Sequence, residues 1–410
     1  MKFEGHSCIF HLILKLAMTL GLTYQYIWLI PFIISIIGIY LLIYKVDLPL
    51  LVKALFIINP CVLICASLAR PYCLIFLFLV LLLTVYKKRF EKNIKYGIIL
   101  FLLFNTHTVV AGFIAGLYLI DIIDFIKSKD KTYYKLIKSY LIGILGFIFL
   151  FLQVNGSTNY INNISFKNIN EFLEVLFFSV YGFIKFMTKN DALVFYFFIL
   201  LLYIVINIFR NRNSYKFFLI LNYLYIIGVR CFIYRFSFEF TSIIFLMPII
   251  FYFVIYGFYN NKLKVALYSM LIISLLGSYT QIKNEIKYNF SFGNNAAAYI
   301  NENYENQTFY CVDDYVCTNI VPSLKKGNNI ISFLHNNKVS YVTWTTDNEF
   351  SNDYMKKIIN SDVEYLIIGD KFFSLFEDDL SPLLENNKIE ILSSFSCTIK
   401  FDIYILKFNR

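Results

Sequence analysis

The hydrophobic pattern of the first 280 residues consists of long apolar runs separated by short polar or basic breaks. Pro71–Tyr86 is one such run without a charged residue. At about 1.5 Å per helical residue it covers most of the roughly 30 Å hydrocarbon layer of a membrane. A helix satisfies all its backbone polar groups internally, so these runs predict transmembrane helices. The pattern between residues 24 and 279 predicts about ten spans, some of them short and broken.

Basic segments between the runs indicate how the spans are oriented. Lys87–Arg89, Lys127–Lys138 and Arg210–Lys216 are rich in lysine and arginine, which favours the cytoplasmic side. Arg70 then lies at the opposite, extracytoplasmic end of its span. The later basic segments also lie on the cytoplasmic side if Glu171–Asp191 forms an outer-surface or re-entrant helix and does not cross the membrane completely.

The first 23 residues have a different pattern. His11 and Lys15 interrupt a short apolar stretch. Two polar residues on so short a segment favour an amphipathic helix at the membrane interface over a full span. We therefore expect an interfacial helix over residues 1–23, within a transmembrane domain of residues 1–280.

From residue 281 onwards the apolar runs become shorter and polar residues become frequent. Short apolar segments bounded by turn residues predict strands, and longer periodic segments predict helices. The predicted strands are Thr308–Val312, Asn329–Phe333, Val339–Trp344, Val363–Ile368 and a hairpin within Ile389–Phe408. The predicted helices are Asn294–Tyr304, Asp353–Asn360 and Ser381–Asn386. Residues 281–410 are therefore expected to form a small α/β domain.

Composition supports this division. The 410-residue chain is 59% hydrophobic and only 16% charged, with a mean hydropathy of +0.63, which excludes an ordinary soluble protein. Residues 1–280 hold 25 Lys/Arg and 10 Asp/Glu, whereas residues 281–410 hold 12 and 17. The basic excess belongs to the predicted cytoplasmic loops, so no nucleic-acid partner is inferred. The expected class is an α-helical polytopic membrane protein with an acidic C-terminal α/β domain.

The sequence indicates neither a cofactor nor a metal. No pair of cysteines has zinc-ligand spacing, and no phosphate-binding glycine loop is present, although a divalent cation stays compatible with the sequence. Cys311 and Cys317 lie six residues apart in the polar domain. They form a disulfide if that domain is extracytoplasmic, and two free thiols are the alternative.

Several ionisable residues fall at the predicted outer ends of spans or in outer loops. They are Glu4, His6, Arg70, His107, Arg230, Arg235 and Glu239. Ionisable groups at such depth are costly to bury and commonly line a water-filled cavity. Arginine binds phosphate with a planar, bidentate fork, so several of them suit a lipid-linked phosphate. The alternative is that the arginines extend to the interface and that His107 is a buried structural residue.

Three short segments form a pattern that is typical of one protein family: residues 4–16 (EGHSCIFHLILKL), 67–72 (SLARPY) and 105–107 (NTH). Together they resemble GT-C-type membrane glycosyltransferases, the group of the protein mannosyltransferases and the aminoarabinose transferase. In that family a Gly-His segment forms a surface helix, an Arg-Pro-Tyr segment lies at the outer start of a span, and a short outer break carries a histidine. The resemblance covers about residues 4–260.

The resemblance implies sugar transfer from a polyprenyl-phosphate donor at the outer face of the plasma (inner) membrane. Arg70, Tyr72, Arg230 and Arg235 would bind the donor phosphate. Glu4, His6 and His107 would be the catalytic residues. The acceptor is open, and the C-terminal domain would be extracytoplasmic.

This sequence departs from the family pattern in two ways. The family's first span and acidic outer loop precede the Gly-His segment, and we expect this sequence to lack both. Ser7 stands where the family has proline. Two other functions therefore stay open: a transporter or flippase for lipid-linked sugars, and a catalytically degenerate membrane scaffold.

Overall fold

The computed structural model describes most of the chain. The described residues are 8–22, 26–67, 71–107, 110–154, 181–185, 187–211, 213–232, 246–247, 249–253, 261–288, 292–312, 316–317, 320–332, 354–396 and 402–409. They form two compact units, Met1–Gln281 and Ile282–Arg410.

The first unit is helical. Its described helices are α1 (Cys8–Thr19), α2 (Leu29–Lys45), α3 (Leu50–Ile57), α4 (Pro60–Ser67), α5 (Tyr72–Tyr86), α6 (Asn93–Phe104), α7 (Ala111–Ser128), α8 (Lys135–Val154), α9 (Asp191–Asn211), α10 (Asn213–Phe232) and α11 (Asn261–Tyr288). A short 3₁₀ helix, Lys131–Tyr134, precedes α8.

Three segments of the described chain are long and apolar enough to cross a membrane: Lys131–Leu150, Asp191–Arg210 and Lys262–Lys283. The predicted count of about ten spans is not confirmed. One expected span, Leu50–Cys65, is divided between α3 and α4 at Asn59-Pro60. Proline cannot donate a backbone hydrogen bond, so the helix restarts at Pro60, and the Asn59 side chain accepts from the Cys61 N–H at 2.7 Å.

Contacts between helices establish their relative directions. A Cβ at Gly38 of α2 would lie 2.6 Å from the Phe76 ring of α5, and further along both helices Lys87 Nζ lies 3.0 Å from Asp47 Oδ2. Helices α2 and α5 therefore run in the same direction.

Helices α6 and α8 also run in the same direction. A Cβ at Gly97 would lie 2.9 Å from the Ser139 Cα, and Gly146 packs on the Phe101 carbonyl. Glycine permits this close approach because it has no side chain.

The packing of α7 on α10 again depends on glycine. Any side chain at Gly112 would overlap Tyr225, and any side chain at Gly116 would overlap Phe218. Because residue numbers rise along one helix as they fall along the other, the two helices are antiparallel. The Gly-x-x-x-Gly spacing is a typical signal of close packing between membrane helices.

Helix α1 has two different faces. Phe10 is buried in the core of the first unit, whereas Leu12 and Leu16 are exposed. An exposed apolar face is compatible with the interfacial helix expected here, whose position in a membrane stays a prediction.

The second unit contains a five-stranded sheet. Its strands are β1 (Thr308–Cys311), β2 (Asn329–Ser332), β3 (Tyr365–Gly369), β4 (Ile389–Ser396) and β5 (Asp402–Phe408), in the order β2-β1-β3-β5-β4. β1 is parallel to β2 and β3, and β5 is antiparallel to β3 and β4. The predicted small C-terminal sheet is thus present. The expected strand Val339–Trp344 lies outside the described residues.

Helices complete this unit: α12 (Phe292–Asn303), α13 (Tyr354–Ile359), α14 (Asp370–Leu375) and α15 (Glu377–Glu385). Both faces of the sheet carry apolar cores, one with Phe309 and Ile367, the other with Leu366 and Leu406. Cys311 and Cys317 form a disulfide, with their Cα atoms 6.3 Å apart. The disulfide alternative of the sequence analysis is the one that the structure contains.

Candidate functional site

Tyr72 and His107 meet at one end of the first unit. Tyr72 begins α5, directly after Pro71, and His107 lies in the turn between α6 and α7. Their rings are tilted by 33°, with centroids 5.6 Å apart, and both side chains are buried. Two residues that are 35 positions apart in the sequence therefore lie in contact. We call this end of the helices the His107 end.

The turn before His107 carries further buried polar groups. Thr106 Oγ1 donates to the Leu103 carbonyl at 2.6 Å and so satisfies one of the last carbonyls of α6. Asn105 is buried, and its Oδ1 accepts no hydrogen bond from any described residue. A buried acceptor without a donor is costly, so Asn105 is suited to accept from a hydroxyl group.

The backbone of Arg230 lies toward the same end. Tyr225 of α10 packs on Gly112, five residues after His107. Because α7 and α10 are antiparallel, the next five residues of α10 lead toward His107. At about 1.5 Å per residue, this places the Arg230 backbone roughly 7.5 Å beyond Tyr225. Only the backbone of Arg230 is described.

The remaining predicted site residues lie outside the described part of the chain. They are Glu4, His6, Arg70 and Arg235. Arg70 is two positions before Tyr72, and Arg235 five positions after Arg230. The structure therefore brings Tyr72 and His107 together, directs the Arg230 backbone toward them, and leaves the roles of all these residues as predictions.

The sequence analysis missed a buried ion pair at the other end of α5 and α7, which we call the Arg89 end. Arg89 Nη2 donates to Asp121 Oδ1 at 2.8 Å, and the two side chains are 13% and 1% exposed. Tyr140 of α8 donates its hydroxyl hydrogen to the other oxygen, Asp121 Oδ2. Arg89 also donates through Nη1 to the Tyr86 carbonyl at 3.2 Å.

Aromatic rings enclose the guanidinium of this pair. Its central carbon lies 4.4 Å from the centroid of Tyr86 and 4.5 Å from that of Phe90. Burial lowers the pKa of Arg89, but the neighbouring Tyr86 and Asp121 outweigh this effect, so its pKa is above the ordinary value. Arg89 is therefore a permanent cation, and Asp121 is its counter-charge.

One sequence signal pointed to this pair. Asp121 interrupts the apolar segment of α7, and a carboxylate in such a segment needs a cationic partner. In the sequence, Arg89 belongs to the basic segment with Lys87 and Lys88, which indicates only the orientation of the span.

Among the described residues, no group of three or more His, Cys, Asp or Glu side chains is arranged to hold a metal ion. No family model, no curated protein and no solved structure matches the chain.

Proposed function

We propose that this protein is a membrane glycosyltransferase that transfers a sugar from a polyprenyl-phosphate donor. The contact between Tyr72 and His107 carries the proposal. The resemblance named these two residues from separate motifs, and they lie at the same end as the Asn105 Oδ1, which accepts no hydrogen bond from the described residues. Buried polar groups at a helix break in a membrane protein commonly line a cavity for substrate.

In the proposed reaction, an acceptor hydroxyl attacks the anomeric carbon of the donor sugar. The new bond joins the hydroxyl oxygen to that carbon, and the bond from the carbon to the phosphate oxygen breaks. Polyprenyl phosphate leaves with the bonding electrons. Arg70, Arg230 and Arg235 hold its negative charge, and Tyr72 positions the headgroup.

The proton of the acceptor hydroxyl goes to a general base. Neutral histidine can accept a proton near neutral pH, which assigns this role to His107, with Glu4 and His6 beside the reacting atoms. The Asn105 Oδ1 acceptor suits a sugar or acceptor hydroxyl. A positioned base typically contributes about 10²–10⁴-fold to the rate.

The proposed location is the plasma (inner) membrane, with this reaction at its outer face. The disulfide between Cys311 and Cys317 supports an extracytoplasmic C-terminal unit, because disulfides persist in oxidising compartments.

The test is transfer of radiolabel from a polyprenyl-phosphate sugar to membrane acceptors by the purified chain in lipid nanodiscs. His107→Ala is expected to lower transfer about 10²-fold or more, and Arg235→Ala to abolish donor binding. Arg210→Ala is the matched control, because this exposed arginine ends α9. Wild-type transfer by His107→Ala and Arg235→Ala would refute the proposal.

A flippase for lipid-linked sugars is the second candidate. The break between α3 and α4 favours it, because transporters bind substrate at discontinuous helices. Asn59 at this break is fully buried, and its Nδ2 donates to no described residue. In sealed vesicles a flippase would move the labelled lipid across the membrane without forming a glycosylated product.

A further inference from the structure

Two loops at the Arg89 end form one continuous surface. Asn93 Nδ2 donates to the Lys135 carbonyl at 3.1 Å, and Ser139 Oγ donates to the Asn93 carbonyl at 2.7 Å. The rings of Phe90 and Tyr133 lie 5.0 Å apart across the same junction. Residues 87–95 and 127–138 are therefore held together, and we call them the basic surface.

The basic surface has a strongly positive charge. Glu91 and Asp130 are its only acids, against nine lysines, all of them exposed. The lysines are Lys87, Lys88, Lys92, Lys95, Lys127, Lys129, Lys131, Lys135 and Lys138. Lys87 is paired with Asp47. The density of like charge that the other lysines contribute favours the binding of anions.

Arg89 holds the first of these loops in place. Lys87 and Lys88 are exposed, whereas Arg89 turns inward to Asp121. The inward arginine fixes the direction in which its neighbours face. A segment that only determines membrane orientation requires positive charge but no fixed geometry. The basic surface has positive charge and also a fixed geometry.

Exposed apolar side chains accompany the lysines. Ile94, Ile126 and Tyr134 are 49%, 64% and 56% exposed. Lysines mixed with aliphatic and aromatic groups are typical of residues at the boundary between hydrocarbon and headgroups.

We propose that the basic surface binds the phosphate groups of anionic membrane lipids. The lysine ammonium groups pair with headgroup phosphates, while the exposed isoleucines and Tyr134 contact the upper part of the acyl chains. This lipid site lies at the opposite end of α5 and α7 from the His107 end, and it does not depend on the proposed sugar transfer.

The experiment measures thermal unfolding of the full chain in neutral detergent, titrated with phosphatidylglycerol or with phosphatidylcholine. Phosphatidylglycerol is expected to raise the unfolding temperature by several degrees more than phosphatidylcholine. In a quadruple variant, Lys88, Lys92, Lys131 and Lys135 are replaced by Gln. Because each surface lysine contributes about 1 kcal/mol to binding of anionic lipid, the loss of four should lower the apparent affinity for phosphatidylglycerol by up to about 10³-fold, and by at least about tenfold if their contributions overlap.

Two further variants separate charge from stability. Replacing the same four lysines by Arg should retain the response, because the charge is kept. Replacing four exposed lysines of the second unit by Gln should also retain it; these are Lys325, Lys326, Lys356 and Lys357. Inorganic phosphate at the same concentration should leave the unfolding temperature unchanged.

Three results would overturn the proposal. One is an equal response of the wild type to both lipids. Another is an undiminished response of the quadruple Gln variant. The third is a shift by inorganic phosphate that matches the shift by phosphatidylglycerol, since this would identify a phosphate site and not a lipid site.

Discussion

Helices α5 and α7 have buried polar side chains at both ends, but the hydrogen bonding of these side chains differs between the two ends. These helices run in the same direction, with Tyr72 and His107 in contact near their starts and Arg89 and Asp121 paired toward their ends. At the Arg89 end, both oxygens of the Asp121 carboxylate accept hydrogen bonds, and the one unmatched atom of the ion pair is a donor, Arg89 Nε, which reaches no described acceptor. At the His107 end, the unmatched atom is an acceptor, because the buried Asn105 Oδ1 receives no hydrogen bond from the described residues.

This difference distinguishes a structural polar cluster from a candidate binding site. A carboxylate whose two oxygens both accept hydrogen bonds inside the protein cannot bind a ligand without losing a partner. A buried polar atom that lacks a partner gains free energy when a ligand supplies one. The predictions below test this distinction, first at the Arg89 end.

The largest effect is expected from breaking the buried ion pair. Asp121→Leu leaves the Arg89 guanidinium buried without its counter-charge, which should lower the free energy of unfolding by about 3–5 kcal/mol. Denaturant unfolding of the detergent-solubilised protein measures the loss.

The matched control is the double variant Arg89→Met with Asp121→Leu. It removes both charges and should recover most of the stability lost by the single variant. A single variant within about 1 kcal/mol of the wild type would mean that this pair does not stabilise the Arg89 end.

A smaller loss is expected where α7 packs on α10. Gly116→Leu forces a side chain into Phe218, which should cost about 1–3 kcal/mol of unfolding free energy. It should also displace α10, which directs the Arg230 backbone toward the His107 end. Ala115→Leu is the control, because Ala115 is exposed on the same helix. Equal stability of the two variants would contradict the close packing of α7 on α10.

The contact between Tyr72 and His107 should contribute less to stability. An aromatic pair is worth about 0.5–1.5 kcal/mol beyond its buried area. Tyr72→Phe keeps the ring that contacts His107 and should cost less than His107→Gln, which should cost about 1 kcal/mol. If His107→Gln destabilised the protein as strongly as Asp121→Leu, then His107 would be a structural residue and the comparison of the two ends would fail.

The smallest effect concerns an exposed ion pair. The hydrogen bond from Lys87 and its positive charge lower the pKa of Asp47 below the ordinary 3.8. A carboxylate whose pKa is lowered by folding stabilises the protein above its unfolded pKa, and this stabilisation is lost as the pH falls through the folded value.

Asp47→Asn should therefore cost less than about 1 kcal/mol at pH 7, because exposed pairs are screened by solvent. The difference from the wild type should shrink as the pH falls below 3.8 and vanish at a pH where Asp47 is protonated in the folded protein. If the difference in stability persisted at that pH, its cause would not be the charge of Asp47.

The sequence predicted the C-terminal sheet better than the membrane spans. In the sheet, Tyr365–Gly369 is a short, fully buried apolar run, and the hairpin strands alternate between apolar and polar residues, so the local pattern suffices for both. In the first unit, apolar composition reveals helices but does not reveal where they break. Helices α3 and α4 have only 8 residues each, and the division at Pro60 was not predicted.

The two polar pairs differ in how far the sequence alone could predict them. Tyr72 and His107 could be named from short motifs, although only the fold shows that they touch. Arg89 and Asp121 are 32 positions apart, and no periodicity links two such residues. The sequence shows only a carboxylate, Asp121, in an apolar helix. This indicates that a cationic partner exists but does not identify it.

The most direct test of the account is photo-crosslinking with a polyprenyl-phosphate sugar that carries a diazirine on the sugar. The protein would be labelled in nanodiscs that contain excess phosphatidylglycerol, digested, and mapped by mass spectrometry. Crosslinks are expected at the start of α5 and in the turn with Asn105 and His107, and they should be lost in Arg235→Ala. Crosslinks confined to the Arg89 end would contradict this expectation.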